Sequence, residues 1–376
     1  MGLTSAGTLL LAALLTIAIV VVTLYYWNRL RGPRAARTVS RVAMILMCQV
    51  LAIVFTGLAI NAGAGFFASW SELFGAPAIT AAAPPRVVGQ ADHSLRTVIR
   101  ASFLASHGTV VPLVIPAPVA GIPPQRALVY LPAAYGDPNA PNTRFPVVQL
   151  MVGFPGHPYN WTGGLQLQRV LDTEIAARRT VPLIAVMPNQ NIALPRDTQC
   201  VNVVNGPKVD TYLSSDVHRA VIKAFRAIPA ASGWAVMGYS TGGFCALNLA
   251  MRHPDLFSAA VSLSGYGRTA RDHQTGDLFG GSKVLADLNS PIWRIEHLGR
   301  PAIKVLFMSS KIDKVPVRDA AAFTTHARPP TYAKDIVFPR GGHNFHLWLA
   351  EEPYAFAWMS QWLRTPLAPT LPPVVH

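Results

Sequence analysis

The pentapeptide Gly238-Tyr239-Ser240-Thr241-Gly242 sets a serine between two glycines, where the apolar run "WAVMGY" gives way to the amphipathic "TGGFCALNLAMRH". A serine hydroxyl becomes a nucleophile when a sharp strand-to-helix turn exposes it and a neighbouring base takes its proton. Gly238 and Gly242 suit so tight a turn because they bring no side chain to clash, and Gly243 lets the following helix lie close to a sheet. The pentapeptide alone is a modest signal; an acid and then a histidine must come after it along the chain. After "IKVLFMS" the chain reads "SKIDKVPVRDA", and Asp313 is the first carboxylate beyond that run. After "KDIVFPR" comes "GGHNFHLW", with His343 in the loop. Ser240, Asp313 and His343 therefore form a candidate triad for acyl chemistry, in which His343 takes the serine proton and Asp313 holds and stabilises the imidazole.

Two neighbours compete for these roles. Asp319 falls on an expected helix, where a solvated surface acid is the simpler role, and His346 stands at the start of the terminal helix as a capping or lining residue. "HNFH" lacks the third ligand that a metal site needs, so no metal is expected. The oxyanion that develops on the substrate needs two donors. One is the backbone N–H of Thr241; the other is assigned to Phe154 in "LMVGFPGHPYNW", where Gly153 permits close backbone approach. The same loop carries His157, Tyr159 and Trp161 as candidate substrate contacts. Of three cysteines, Cys48 lies in an apolar run as a small apolar residue. Cys200 and Cys245 are either a bridge tying a long loop to the helix behind the nucleophile or two free core thiols.

These residues need a scaffold. Short apolar runs bounded by turn residues occur at 126–132, 146–152, 182–188, 233–239, 259–265, 303–309 and 334–340, and helical patterns fall at 165–179, 210–227, 241–253, 316–327 and 346–363. Buried strands alternating with helices predict an α/β fold, a mostly parallel sheet with helices on both faces. Chemistry in such sheets collects at the carboxyl ends of the strands.

The N-terminal part has a different composition. Residues 8–27 and 42–60 are uncharged runs of the roughly 20 residues that a helix needs to cross hydrocarbon. Between them lie Arg29, Arg31, Arg34, Arg37 and Arg41 with no acid. The positive-inside rule puts that connection in the cytoplasm and the chain beyond the second run outside the cell. A signal peptide is the competing reading of the first run, but no basic residue precedes it. The expected organisation is a two-span anchor at 1–74, a Pro- and Ala-rich linker at 75–92, an α/β domain at 93–365 and a Pro-rich tail at 366–376. The net charge of +14, from 32 basic and 18 acidic residues, contains no run of Lys or Arg like a nucleic-acid stripe. No nucleotide fingerprint is visible, no cofactor is expected, and the oligomeric state is left open.

"GYSTGGFCALNLAMRHPDLFSAAVSLSG" followed by "GGHNFHLW" resembles the esterase D-like α/β-hydrolases, and among them the secreted mycobacterial mycolyltransferases. "DTYLSSDV" at 210–217 and "HPDLFSAAVSLSG" at 253–265 also look like family segments, and the likeness covers roughly residues 105–365. The resemblance implies Ser240 as nucleophile, Asp313 as acid, His343 as base and Phe154 and Thr241 as oxyanion donors. Phe345 stands nearest to where the mycolyltransferases often carry a tryptophan, and His157, Tyr159 and Asn160 appear in place of their sugar-binding acids. The expected activity is that of a membrane-anchored, extracytoplasmic serine esterase acting on acyl esters or envelope lipids. The alternatives are an acyltransferase with a sugar acceptor, a peptidase and a non-catalytic scaffold.

Overall fold

A computed structural model describes residues 6–64, 70 and 107–366; the linker expected at 75–92 and the tail beyond 366 lie outside the described residues. Helix α1 covers Ala6–Tyr26 and helix α2 covers Arg34–Ala64. Both are long and apolar enough to cross a membrane by length and composition. Thr16 Oγ1 donates to the Leu51 carbonyl at 3.3 Å and Thr23 Oγ1 meets Cys48 Sγ at 3.4 Å, so the two helices run antiparallel. The connection is shorter than the sequence suggests, because Arg34, Arg37 and Arg41 belong to the first turns of α2. The arginines meet the end of α1, whose last carbonyls have no helical donor. Arg29 donates to the Tyr25 carbonyl at 3.1 Å, and Arg41 donates to the Trp27 carbonyl at 3.0 Å while lying 5.0 Å over the Trp27 ring.

The remainder is organised by one eight-stranded sheet. Its strands are β1 Thr109–Ala117, β2 Ile122–Leu131, β3 Val147–Met151, β4 Ile184–Pro188, β5 Trp234–Tyr239, β6 Ala259–Leu263, β7 Lys304–Ser310 and β8 Tyr332–Phe338. Their spatial order is β1-β2-β4-β3-β5-β6-β7-β8. β4, β3, β5, β6 and β7 are mutually parallel, and β2 pairs antiparallel with both β1 and β4. β3 to β6 are buried along their whole length, which accounts for their continuous apolar sequences: a parallel sheet covered on both faces leaves no residue for water. Strand β1 was not expected from the sequence. Pro112 and Pro116 interrupt its pattern, and such a strand is tolerated here because it has only β2 as a neighbour.

Six principal helices lie between strands and a seventh follows the last: α3 Leu167–Ala176, α4 Val217–Ala224, α5 Thr241–Arg252, α6 Lys283–Leu288, α7 Pro291–His297, α8 Lys314–His326 and, after β8, α9 Phe345–Ser360. The helix expected at 210–227 is broken by a π-helical turn over Tyr212–Asp216 ahead of α4. α6 and α7 were not anticipated, since six and seven residues are too few to show a helical period. Every residue of α5 from Thr241 to Met251 is buried. Asp210 anchors the far end of α5, lying 3.1 Å from His253 Nε2 and 3.4 Å from Arg252.

Candidate active site

Ser240 is the residue between β5 and α5, and its backbone has φ 55° and ψ −127°. A non-glycine residue with positive φ is held there by its surroundings at a cost of about 1–3 kcal/mol. The Ser240 N–H donates to the Leu263 carbonyl at the end of β6 (2.9 Å), and its own carbonyl receives the N–H groups of Gly243 and Phe244. Gly242 is required by what surrounds it: a Cβ there would stand 2.4 Å from the Met151 carbonyl oxygen and 2.5 Å from that of Val152. The Ser240 side chain is half-buried.

The chain leaving β3 passes directly over this turn. A Cβ on Gly153 would lie 3.0 Å from the Ser240 Cβ and 3.0 Å from the Tyr239 ring. Phe154 is the next residue, and Thr241 opens α5, where the first N–H groups have no acceptor within the helix. Below the turn, the Tyr239 ring stacks on Trp348 at 4.5 Å and meets Trp161 edge-on at 5.4 Å. Trp161 is 0% exposed. This corrects the expectation that it contacts substrate: its ring is part of the aromatic layer supporting the elbow. His157 is exposed and Tyr159 half-buried; with Arg126, Leu128, Pro155 and Leu194 they line a cleft of about 380 Å³ beside the loop.

Asp313 and His343 come from two loops that are linked to each other. The Ser310 hydroxyl donates to the Gly341 carbonyl at 2.5 Å, and the Asp313 N–H donates to the Ser310 carbonyl at 2.9 Å. His343 Nδ1 lies 2.6 Å from Asp313 Oδ2. Both side chains are largely enclosed, at 19% and 11% exposure, which keeps water from competing for that bond. A carboxylate on Nδ1 fixes the imidazole tautomer that leaves Nε2 as the acceptor. Asp319 is not the solvated acid expected of it. It is buried and accepts the Gly267 N–H at 2.9 Å, with Arg318 on the same carboxylate. His346 is exposed; Asn344 Oδ1 accepts its N–H at 3.0 Å and so is the capping group at the start of α9.

Sequence reasoning missed a polar layer behind the elbow. Gln190 Nε2 donates to the Val152 carbonyl at 2.5 Å, and Asn191 Nδ2 donates to the carbonyls of Gly153 (3.1 Å) and Gly156 (2.7 Å). The signal was present as "NQN", polar residues immediately after the buried run that became β4. Asp197 Oδ2 accepts the Thr241 hydroxyl at 3.2 Å, and Cys200, three residues on, is bonded to Cys245 with the Cα atoms 5.5 Å apart. The Asp197 carboxyl is pushed above its ordinary range by burial, which outweighs the hydrogen bonds from Gln199 and Thr241. Among the described residues no group of three or more His, Cys, Asp or Glu is placed to hold a metal ion.

A parallel sheet with a strained serine between β5 and α5, and a carboxylate–imidazole pair on later loops, defines an α/β-hydrolase. The family described as "Putative esterase" matches residues 124–344, more than half of the chain. The chain belongs to this esterase family. It is 26% identical over 251 residues to an uncharacterised protein of Corynebacterium glutamicum, a match covering 64% of this chain and 58% of the relative's length. A ferulic acid esterase structure superposes with a TM-score of 0.58 at 18% identity, over 69% of this chain and 100% of that one. MPT51 of Mycobacterium tuberculosis superposes with a TM-score of 0.54 at 15% identity, over 68% of this chain and 99% of that one. At these identities the structural likeness establishes the fold.

Proposed function

We propose that this chain is a membrane-anchored, extracytoplasmic serine esterase that works through Ser240, His343 and Asp313. The observation that carries the reading is the 2.6 Å bond between His343 Nδ1 and Asp313 Oδ2, taken with the strained Ser240 elbow. In the reaction His343 Nε2 removes the Ser240 proton as the oxygen attacks an ester carbonyl. The tetrahedral oxyanion receives the N–H groups of Phe154 and Thr241, and collapse expels the alcohol with the proton returned from His343. Water, activated by the same imidazole, then releases the acid. The cleft beside Gly156, His157 and Tyr159 is suited to the apolar part of an acyl ester.

The anchor rests on three features. α1 and α2 have the length and composition of spans. Tyr25, Trp27, Arg29 and Arg41 form an aromatic and basic cluster at one end of the pair, as at a membrane interface. The connection and the first turns of α2 carry arginines without acids, which orients that end to the cytoplasm. The Cys200–Cys245 bond agrees with an oxidising compartment for the α/β part.

A fluorophosphonate probe applied to membranes holding the full chain tests the chemistry. Wild type becomes labelled and Ser240→Ala does not; absence of labelling in wild type sinks the esterase reading in favour of a scaffold. Supplying a lipid ester together with a sugar acceptor separates hydrolysis from acyl transfer, and a dominant transfer product replaces the esterase with an acyltransferase. A protease added to intact cells digests the α/β part if it faces outward, and its survival overturns that orientation.

A further inference from the structure

We propose that Asn191 is a positioning residue of the oxyanion hole, acting by holding the Gly153–Phe154 peptide at its carbonyl edge; this rests on the esterase reading above. Asn191 follows β4 and is buried, 6% exposed. Its amide nitrogen has two hydrogens and donates both, to the Gly153 carbonyl at 3.1 Å and to the Gly156 carbonyl at 2.7 Å. The Gly153–Phe154 peptide is trans. In a trans peptide the carbonyl and the N–H of the same plane point in opposite directions. An amide gripping the Gly153 oxygen therefore aims the Phe154 N–H away from Asn191. Among the described residues that N–H has no protein acceptor.

The preceding peptide is held in the same manner. Gln190 takes the Val152 carbonyl at 2.5 Å. Two consecutive peptide planes are thus fixed by side chains from the end of one neighbouring strand. The second grip, on Gly156, also closes the turn in which the Gly156 N–H returns to the Gly153 carbonyl at 2.8 Å. A donor that is oriented before substrate arrives costs no reorganisation in the transition state, and this is the basis of its catalytic value. Asn191 touches neither the substrate carbonyl nor Ser240 in this scheme. Asn191 also borders the cleft assigned to the acyl chain, and its contribution to the chemical step passes through the orientation of a backbone N–H.

The test uses the full-length protein in detergent with a p-nitrophenyl ester. Asn191→Asp keeps the side-chain shape but replaces the donor with an acceptor facing two carbonyls; Asn191→Ala removes the grip without adding charge. The expected result is a fall in kcat of about 10- to 100-fold in each, with KM within about two-fold of wild type and the melting temperature retained in at least one. Affinity for an alkyl boronic acid, whose tetrahedral adduct needs the oxyanion donors, falls by the same factor, whereas affinity for an unreactive ether analogue of the ester does not change. A wild-type kcat in both variants, a loss of kcat without the matching loss of boronate affinity, or a loss that only accompanies unfolding overturns the proposal. Failure of wild type to react with fluorophosphonate at Ser240 would instead remove the esterase reading on which it stands.

Discussion

His343 Nδ1 stands 2.6 Å from Asp313 Oδ2, thirty residues earlier in the chain, with both groups mostly shielded from water. In the proposed triad the carboxylate would fix which imidazole nitrogen is free to act as a base and would offset the charge that the ring gains on taking a proton. Asp313→Asn preserves shape but favours the wrong tautomer. The expected outcome is a fall in kcat of about 10⁴-fold with little change in KM, measured by steady-state turnover of a p-nitrophenyl ester. A fall of less than ten-fold would show that another acid supports His343.

Gly242 bears on stability as well as on chemistry. A Cβ at this position would meet the carbonyl oxygens of Met151 and Val152 at 2.4 and 2.5 Å, and neither is the end of a movable side chain. Gly242→Ala is expected to destabilise the protein by about 3 kcal/mol and to displace the Ser240 turn. Denaturant unfolding followed by tryptophan fluorescence reads the first effect, and fluorophosphonate labelling the second.

The Cys200–Cys245 bond closes a loop across 45 positions and ties the segment that carries Asp197 to the helix that begins at Thr241. Cys245→Ser is expected to lower stability by about 2–4 kcal/mol and to loosen the Asp197 contact with the Thr241 hydroxyl. Mass measurement without reductant shows whether the two sulfurs are bonded, and unfolding with and without reductant gives the energetic effect. An unchanged midpoint would mean that the surrounding contacts alone hold the loop.

Glu352 on α9 is wholly buried, and among the described residues neither of its carboxylate oxygens has a hydrogen-bond partner. Burial holds its proton well above the usual carboxylate range, and Arg169 offsets this only in part. From the ordinary value of 4.5 up to the raised value, the folded chain keeps a proton that the unfolded chain has released. Stability therefore falls as pH rises through that window. Glu352→Met removes the titrating group, so its melting temperature should exceed that of wild type by more at pH 8 than at pH 5. At roughly 2–4 °C per kcal/mol, a domain of this size makes the gap measurable by calorimetry. A gap that is the same at both pH values would mean that Glu352 is ionised within the fold.

The sequence by itself determined the features that depend on residues close together in the chain. The apolar runs of β3 to β6, the serine between glycines at 238–242 and the two uncharged stretches before residue 64 are each local patterns, and each is legible because burial or turn geometry acts on consecutive residues. Strand β1 was hidden for the same reason, since its two prolines break the local pattern while its pairing with β2 supplies what the pattern lacks. Only the tertiary structure decided that Asp319 turns inward to the Gly267 N–H, that Trp161 supports Tyr239 from inside, and that Asn191 grips two carbonyls of the β3 loop. These relationships join residues far apart in the chain. Such contacts depend on the path of the whole backbone, and residue type and spacing do not encode it locally.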